Sequence, residues 1–442
     1  MHIRKELSIF FVLVFLIILQ LDGQTSLFVT PGGSDGNSGT SWNAAKATLA
    51  GALSSASGTT NIYMMVGKYS CSNVTIPNGV TVIGGFSSAS TGTDVSQRLY
   101  PGTIANWNNP SACTILSGNF SSRVATVNAG GKLEGCVVTD GRVSGNGAGV
   151  LVNGGTVLLC VIIHNSALTE PSFTAYGGGA YVQNNGKLQN CVCAFNTAND
   201  GPGVAGTNGE LTNNTISENV AIPDCGTVID YDGNTYHTVV IGEQCWMREN
   251  LRTTHFANGT AIALGTASST TTPYRYYPDD NSANVATYGY LYNWSAVMNN
   301  AEPTNENPSG VLGVCPIGWH VPSYDECVQM VSYLQNFAAF TCEDETVGKS
   351  LASTTGWNTY TVDCTVGCQP GRNNTSGFNM KAAGFFIDAY VTPGQIGIHW
   401  TTTEYAYSNL ESLAYGLYND ESDALFWRME KDYGFSVRCL RD

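Results

Sequence analysis

The sequence predicts two folded units of different class, all-β followed by α+β. The first is a short right-handed parallel β-helix over residues 24–221, the second a disulfide-rich α+β domain over 222–442. Three observations predict this. A repeat of 22–24 residues runs through the first unit and stops at Ala221. The cysteines form two sets, six in 71–193 and eight in 225–439. Fifty glycines and only 12% charged residues describe turns and strands rather than long helices.

The repeat is read from aligned segments. Gly147-Ala148-Gly149-Val150 leads into a run containing Cys160 and Asn165, and Gly177-Gly178-Gly179-Ala180 into one containing Cys191 and Asn196. Gly201-Pro202-Gly203-Val204 leads into a third run, with Asn214 and Asn219. A weaker copy surrounds Cys136. The successive offsets, Cys136 to Cys160, Cys160 to Cys191 and Cys191 to Asn214, are 24, 31 and 23, the long one carrying an insertion around Glu170 to Tyr176. One turn of a parallel β-helix has this length, and equivalent positions then stack about 4.8 Å apart. The rows Val157/Leu188/Leu211, Cys160/Cys191/Asn214 and Ile162/Cys193/Ile216 are expected to point inward. Asn165, Asn196 and Asn219 fall at one corner, where stacked amides can bond to one another and satisfy buried polar groups. An antiparallel sandwich has no reason to keep Asn in register.

The first segment sets the compartment. Arg4 and Lys5 precede an apolar run, Ile9 to Leu19, of eleven residues. At about 1.5 Å per residue it covers roughly half a bilayer core, so residues 1–23 read as a secretory signal peptide rather than a spanning helix. Gly23 is the expected last residue removed. No cysteine follows to carry a lipid, and no later run is long and apolar enough to span a membrane. A secreted, extracellular or outer-surface location follows.

Charge divides unevenly. Residues 24–221 hold 7 basic and 8 acidic side chains, and residues 222–442 hold 10 and 24. The second unit therefore repels nucleic acid and anionic membranes. Its acids are compatible with calcium, which no motif supports, so no cofactor is expected.

The opening of the first unit, Leu27 to Trp42 with an Ala-rich segment near 43–56, Val66 to Tyr69 and Val82 to Phe86, resembles the entry coil of pectin-lyase-like β-helix proteins. In those proteins the short helix caps the coil. The resemblance admits lyase or glycoside hydrolase chemistry, but hydrolysis needs converging carboxylates. Asp140, Asp200, Glu210 and Glu218 are scattered, and no basic cluster stands in for a lyase base. His164 reads as a corner residue rather than a base. No catalytic or metal-binding residue is assigned, and the protein is expected not to be an enzyme. Cys136, Cys160 and Cys191 read as buried free thiols rather than an inter-coil disulfide. The sequence leaves Cys71 and Cys113 either paired or free, and assigns Cys193 no partner.

The second unit carries Cys225 to Tyr236 (CGTVIDYDGNTY), Val240 to Leu251 (VIGEQCWMRENL), Tyr274 to Tyr277 (YRYY) and Tyr288 to Trp294 (YGYLYNW). It continues with Cys315 to Ser323 (CPIGWHVPS), Gly377-Phe378, Trp400 to Glu404 (WTTTE) and Tyr433 to Cys439 (YGFSVRC). Along its whole length it resembles the Fibrobacter succinogenes major paralogous domain, a module of secreted Bacteroidetes-type proteins. The resemblance implies a C-type-lectin-like or formylglycine-generating-enzyme-like fold. The residues fit independently: Ser323 and Glu326 make a helix start, and Gly434 to Cys439 alternates like a half-buried strand.

The resemblance implies disulfides Cys315–Cys439, Cys225–Cys245 and Cys342–Cys364. Cys327 and Cys368 depart from the family pattern together, which suggests a fourth bond. Cys364 and Cys368 are not a CxxC pair, and His320 reads as a core hydrogen-bonding residue.

Tyr407, Tyr415, Tyr418 and Trp427 with Asp420, Glu421 and Asp423 cluster where lectin-like folds expose variable loops. Aromatic faces beside carboxylates suit sugars or protein surfaces. The reading is a secreted or cell-surface binding or adhesion protein, with the β-helix as spacer and the second unit as head for a glycan or surface-protein ligand. Alternatives are a carbohydrate-active enzyme using the β-helix groove and a structural surface component.

Overall fold

The computed structural model describes residues 24–442 apart from 88–91, 102–105, 169–174 and 392. The predicted signal peptide, residues 1–23, and most of the coil insertion lie outside the described residues.

Residues 25–221 wind as a parallel β-helix. Its walls are sheets of seven, six and five strands, and a fourth, narrow wall is built from the two-residue strands Arg142–Val143, Ser166–Ala167, Thr197–Ala198 and Val220–Ala221. Every ladder is parallel, in the register the repeat implies: Val157 opposes Leu188 and Leu188 opposes Leu211, while Ile162 opposes Cys193 and Cys193 opposes Ile216. The helix Leu49–Ser55 covers the first turn, burying Leu49 and Ala52, and Thr48 caps it by accepting from Gly51 N at 2.9 Å. Among the described residues no helix covers the other end. Leu211 and Ile216, in line with buried rows, stay 52% and 50% exposed because no further coil stacks on them.

One corner explains the repeat's polar residues. Asn165 Nδ2 donates to Asn196 Oδ1, and Asn196 Nδ2 to Asn219 Oδ1, each at 3.0 Å. The same two oxygens also accept the backbone N–H groups of Asn165 and Asn196 at 3.0 Å. Each amide thus closes a turn whose backbone would otherwise be buried without partners. The glycines ahead of each strand make room for it. A Cβ on Gly149, Gly179 or Gly203 would lie within 2.7–2.8 Å of the nearest Asn Nδ2. Asparagine column and glycine column are one device.

Cys71, Cys136, Cys160, Cys191 and Cys193 lie inside the coil among Val, Ile and Leu, all as free thiols. Cys113 points to a separate cluster with Trp107 and donates to Asn106 O at 3.2 Å, so it does not meet Cys71.

In the second unit the strands Thr227–Ile229, Thr235–Ile241, Gln244–Met247, Leu440–Arg441 and Trp319–His320 form one sheet in that order. The last strand of the chain is therefore inserted beside early ones. Cys225–Cys245 and Cys315–Cys439 staple this sheet, and Cys342–Cys364 ties two loops elsewhere. A three-stranded antiparallel sheet, Ile396–Glu404, Glu411–Tyr418 and Leu425–Glu430, packs beside the helix Tyr324–Gln335. Ser323 and Glu326 close the capping box at that helix start. Arg438 is fully buried, donating to Asn250 Oδ1 at 2.9 Å and to the carbonyls of Phe378 and Asn379. Desolvation brings its guanidinium down to about 10. His320 bonds Glu326 and Asp442, inside the structure as the motif implied.

The suggested fourth disulfide is a correction: Cys327 and Cys368 are both free. Cys327 sits on the inward face of its helix, in a core with Trp246 and Met330. Cys368 follows the loop that wraps Lys349, and Lys349 Nζ donates to its carbonyl. The two thiols serve different packing environments.

The spacer-and-head arrangement also needs correction. Val220 and Ile222, where the repeat ends, belong to the same apolar core as Val239, Phe378 and Met380 of the second unit. Leu168 and Phe195 of the β-helix pack against that core too. There is no linker, and the second unit lies along the narrow wall of the coil.

Two outcomes follow. Alkylation of the purified protein in denaturant without reductant adds eight labels per chain, matching the eight free thiols; six would restore the fourth bond. Asn196→Ala, which orphans buried amide partners, costs about 3 kcal/mol in denaturant unfolding, whereas Ser217→Ala, exposed on the last turn, costs under about 0.5 kcal/mol.

Candidate functional site

The residue before each ladder position adopts a left-handed backbone. Asp140, His164, Phe195 and Glu218 have φ of 60°, 53°, 55° and 54°. That conformation turns one side chain out of the coil so that the next, Asn in three of four cases, turns in. Non-glycine residues there carry strain of about 1–3 kcal/mol each. The first three of this outward column meet the second unit and form one wall of a cavity of about 260 Å³. The facing wall comes from Ala338 to Cys342, Lys349, Asp363, Arg372 and Thr375. Cys342–Cys364 holds two of these segments together.

Arg142, on the narrow wall, fixes the facing loop. Its guanidinium donates to the carbonyls of Gly371 at 3.2 Å, Asn373 at 2.6 Å and Asn374 at 3.4 Å. This loop carries Arg372, which lies over the Phe120 ring at 4.9 Å and approaches Asp140 at 3.6 Å. Asp140 is buried and already accepts from Lys68 at 3.1 Å, Ser117 at 2.8 Å and Thr139 at 3.2 Å.

Lys349 reaches across the facing wall to the carbonyls of Thr365 and Cys368. Burial and then the nearby Arg372 charge bring its ammonium down to about 8, against the pull of Cys368 and Asp363. His164 stacks on Phe195 with centroids 5.4 Å apart and planes at 14°. Its ring is exposed on the cavity side, and the surrounding protein lowers its pKa by desolvation, with Arg372 adding to the shift and Asp140 opposing it. At neutral pH the ring is uncharged. Among the described residues no group of three or more His, Cys, Asp or Glu side chains could hold a metal ion.

The loop residues singled out in sequence do not form one site. Tyr407 is 88% exposed at the tip of the hairpin between Glu404 and Glu411, 5.5 Å from Tyr405. Tyr415 is a correction: it is fully buried, stacked on His399, because its strand position faces the core. Tyr418 and Trp427 pack edge to face at 5.4 Å and are half-buried against the core. Asp420 and Glu421 are exposed, while Asp423 accepts the backbone N–H groups of Val347 and Ala424, a structural role.

Residues 239–441 match the family model of the Fibrobacter succinogenes major domain. The C-terminal unit carries this domain. No curated protein and no solved structure matches the chain. The match begins at Val239, so Cys225 and the first strand of the opening hairpin lie ahead of it. The Fibrobacter succinogenes major domain supplies the Ala338–Thr375 wall of the cavity, and the β-helix supplies the other.

Asp140 and His164 were set aside in sequence as scattered or corner residues, and Lys349 and Arg372 carried no signal. One signal was available: the residue preceding each ladder Asn must point outward, which groups 164, 195 and 218 on one line.

Lys349 is expected to titrate near pH 8, below the ordinary lysine range, in NMR of protein reductively methylated with ¹³C. Arg372→Ala moves that midpoint upward, because a neighbouring cation is removed. A midpoint unmoved from the ordinary lysine range contradicts the enclosed geometry.

Proposed function

We propose that the chain is a secreted or cell-surface binding protein that holds its ligand in the cavity between the β-helix and the Fibrobacter succinogenes major domain. The observation that carries this reading is the cavity's construction: two differently folded units meet around one partly open cleft lined by rings, cations, two carboxylates and an imidazole. Concave sites at domain junctions with a few convergent polar groups are where ligands are usually held. Three disulfides suit an oxidising, extracellular compartment. Among the described residues no helix is long and apolar enough to cross a membrane.

Binding is favoured over catalysis by the state of the carboxylates. Asp140 is committed to Lys68, Ser117, Thr139 and Arg372, and Asp363 lies exposed at the rim with an oxygen accepting from Cys364 N. Neither is placed as a free acid or base opposite the other.

A second reading has its own observation. Tyr407, with Leu410 61% exposed beside it, makes an apolar tip on a hydrogen-bonded hairpin, suited to contact with a glycan or a protein surface in adhesion. Glycan and protein arrays probed with the mature chain, with and without calcium, separate the two. Capture lost in Thr375→Trp, which fills the cavity, and kept in Tyr407→Ala supports the cavity. The opposite pattern moves the ligand to the tip. Turnover of a captured polysaccharide would replace binding by catalysis.

A further inference from the structure

We propose that the ligand of this cavity is a small organic anion, a carboxylate or sulfate ester on a body about the size of one sugar ring, with its charge against Arg372 and Lys349. The inference rests on the cavity being the binding site and names the chemistry it selects.

The charges around the cavity do not cancel. Among the charged residues that line it, Arg142, Arg372 and Lys349 stand against Asp140 and Asp363, which leaves one positive charge in excess. Asp140 is held by Lys68 from the coil side at 3.1 Å, closer than Arg372 at 3.6 Å. Arg372 is therefore the looser partner, and its side chain keeps 36% of its surface accessible. The Lys349 ammonium is met by two carbonyl oxygens, which solvate it without neutralising it. An excess cation enclosed in a chain of net charge −15 is a local inversion of the protein's field. Low-dielectric walls concentrate such a potential on whatever enters.

Size and shape narrow the ligand further. The cavity, at about 260 Å³, falls below the usual range of about 300–1,000 Å³ for drug-sized ligands. The paired faces of His164 and Phe195 make a flat side against which a ring can lie. A neutral His164 can donate to or accept from a ring hydroxyl. Arginine provides paired donors in a fixed fork, the geometry that carboxylate and sulfate oxygens match.

Anion binding also makes the site sensitive to pH. The groups facing Lys349 are Arg372, Asp363 and Cys368, with Asp140, Arg142 and His164 across the cavity. Lys349, at about 8 when the cavity is empty, is raised by an anion beside it. Binding is then accompanied by proton uptake around pH 8, and affinity falls as the pH rises above that value.

The test is calorimetric titration of the full mature chain with glucuronate, galacturonate, acetate and inorganic sulfate, beside glucose and galactose. A uronate is expected to bind at least about tenfold more tightly than the matching neutral sugar. Arg372→Gln and Lys349→Met each weaken it by about tenfold, and Lys349→Met also removes the loss of affinity above pH 8. Acetate and sulfate binding without the uronates would place the anion but reject the ring-sized body. Equal binding of neutral sugars, abolished by Thr375→Trp, would overturn the anion and leave the cavity as the site. No binding by any of the six compounds would also overturn it.

Discussion

The rest of the structure depends on one corner of the coil, where a left-handed residue points out and the following asparagine points in. The inward amides of Asn165, Asn196 and Asn219 bond to one another and to the backbone of neighbouring turns. They fix the register of every sheet, since a slip of one residue would expose the apolar rows and bury the polar ones. The outward residues are then stacked with equal precision. Asp140, His164 and Phe195 form a wall because the asparagines behind them form a ladder. The candidate site and the fold depend on the same outward-then-inward pair of residues.

That corner adjoins the narrow wall against which the second unit packs. Arg142, two residues beyond Asp140, carries the polar contact, and Val220, Ile222, Leu168 and Phe195 carry the apolar one. The β-helix is thus a partner in the site rather than a stalk. Its loss would remove one side of the cavity and expose the core face that receives Ile222. The second unit in turn covers a flank of the coil but not its end, and Leu211 and Ile216 remain open there.

Much of this was legible in the sequence because the coil is periodic. Glycine, cysteine and asparagine recur at fixed offsets, and each has one physical use: close approach, core filling and corner bonding. Three disulfide pairings also followed, although through family resemblance rather than spacing, since eight cysteines allow 105 pairings. The Cys327–Cys368 pairing failed because co-occurrence in sequence says nothing of proximity; one thiol fills a helix face and the other a loop. Tyr415 was misplaced because strand phase decides burial, and a strand with hydrophobic residues at consecutive positions does not reveal it. The cavity was illegible for a deeper reason. It forms from residues 140–195 and 338–375, brought together by a docking angle between two folds that no local pattern encodes.

The shared core makes the two units one cooperative body joined through the narrow wall. Differential scanning calorimetry of the purified chain is the decisive measurement. A single endotherm, with van't Hoff and calorimetric enthalpies in agreement, is the predicted result. Two separable endotherms, one surviving unchanged when residues 222–442 are removed, would contradict it.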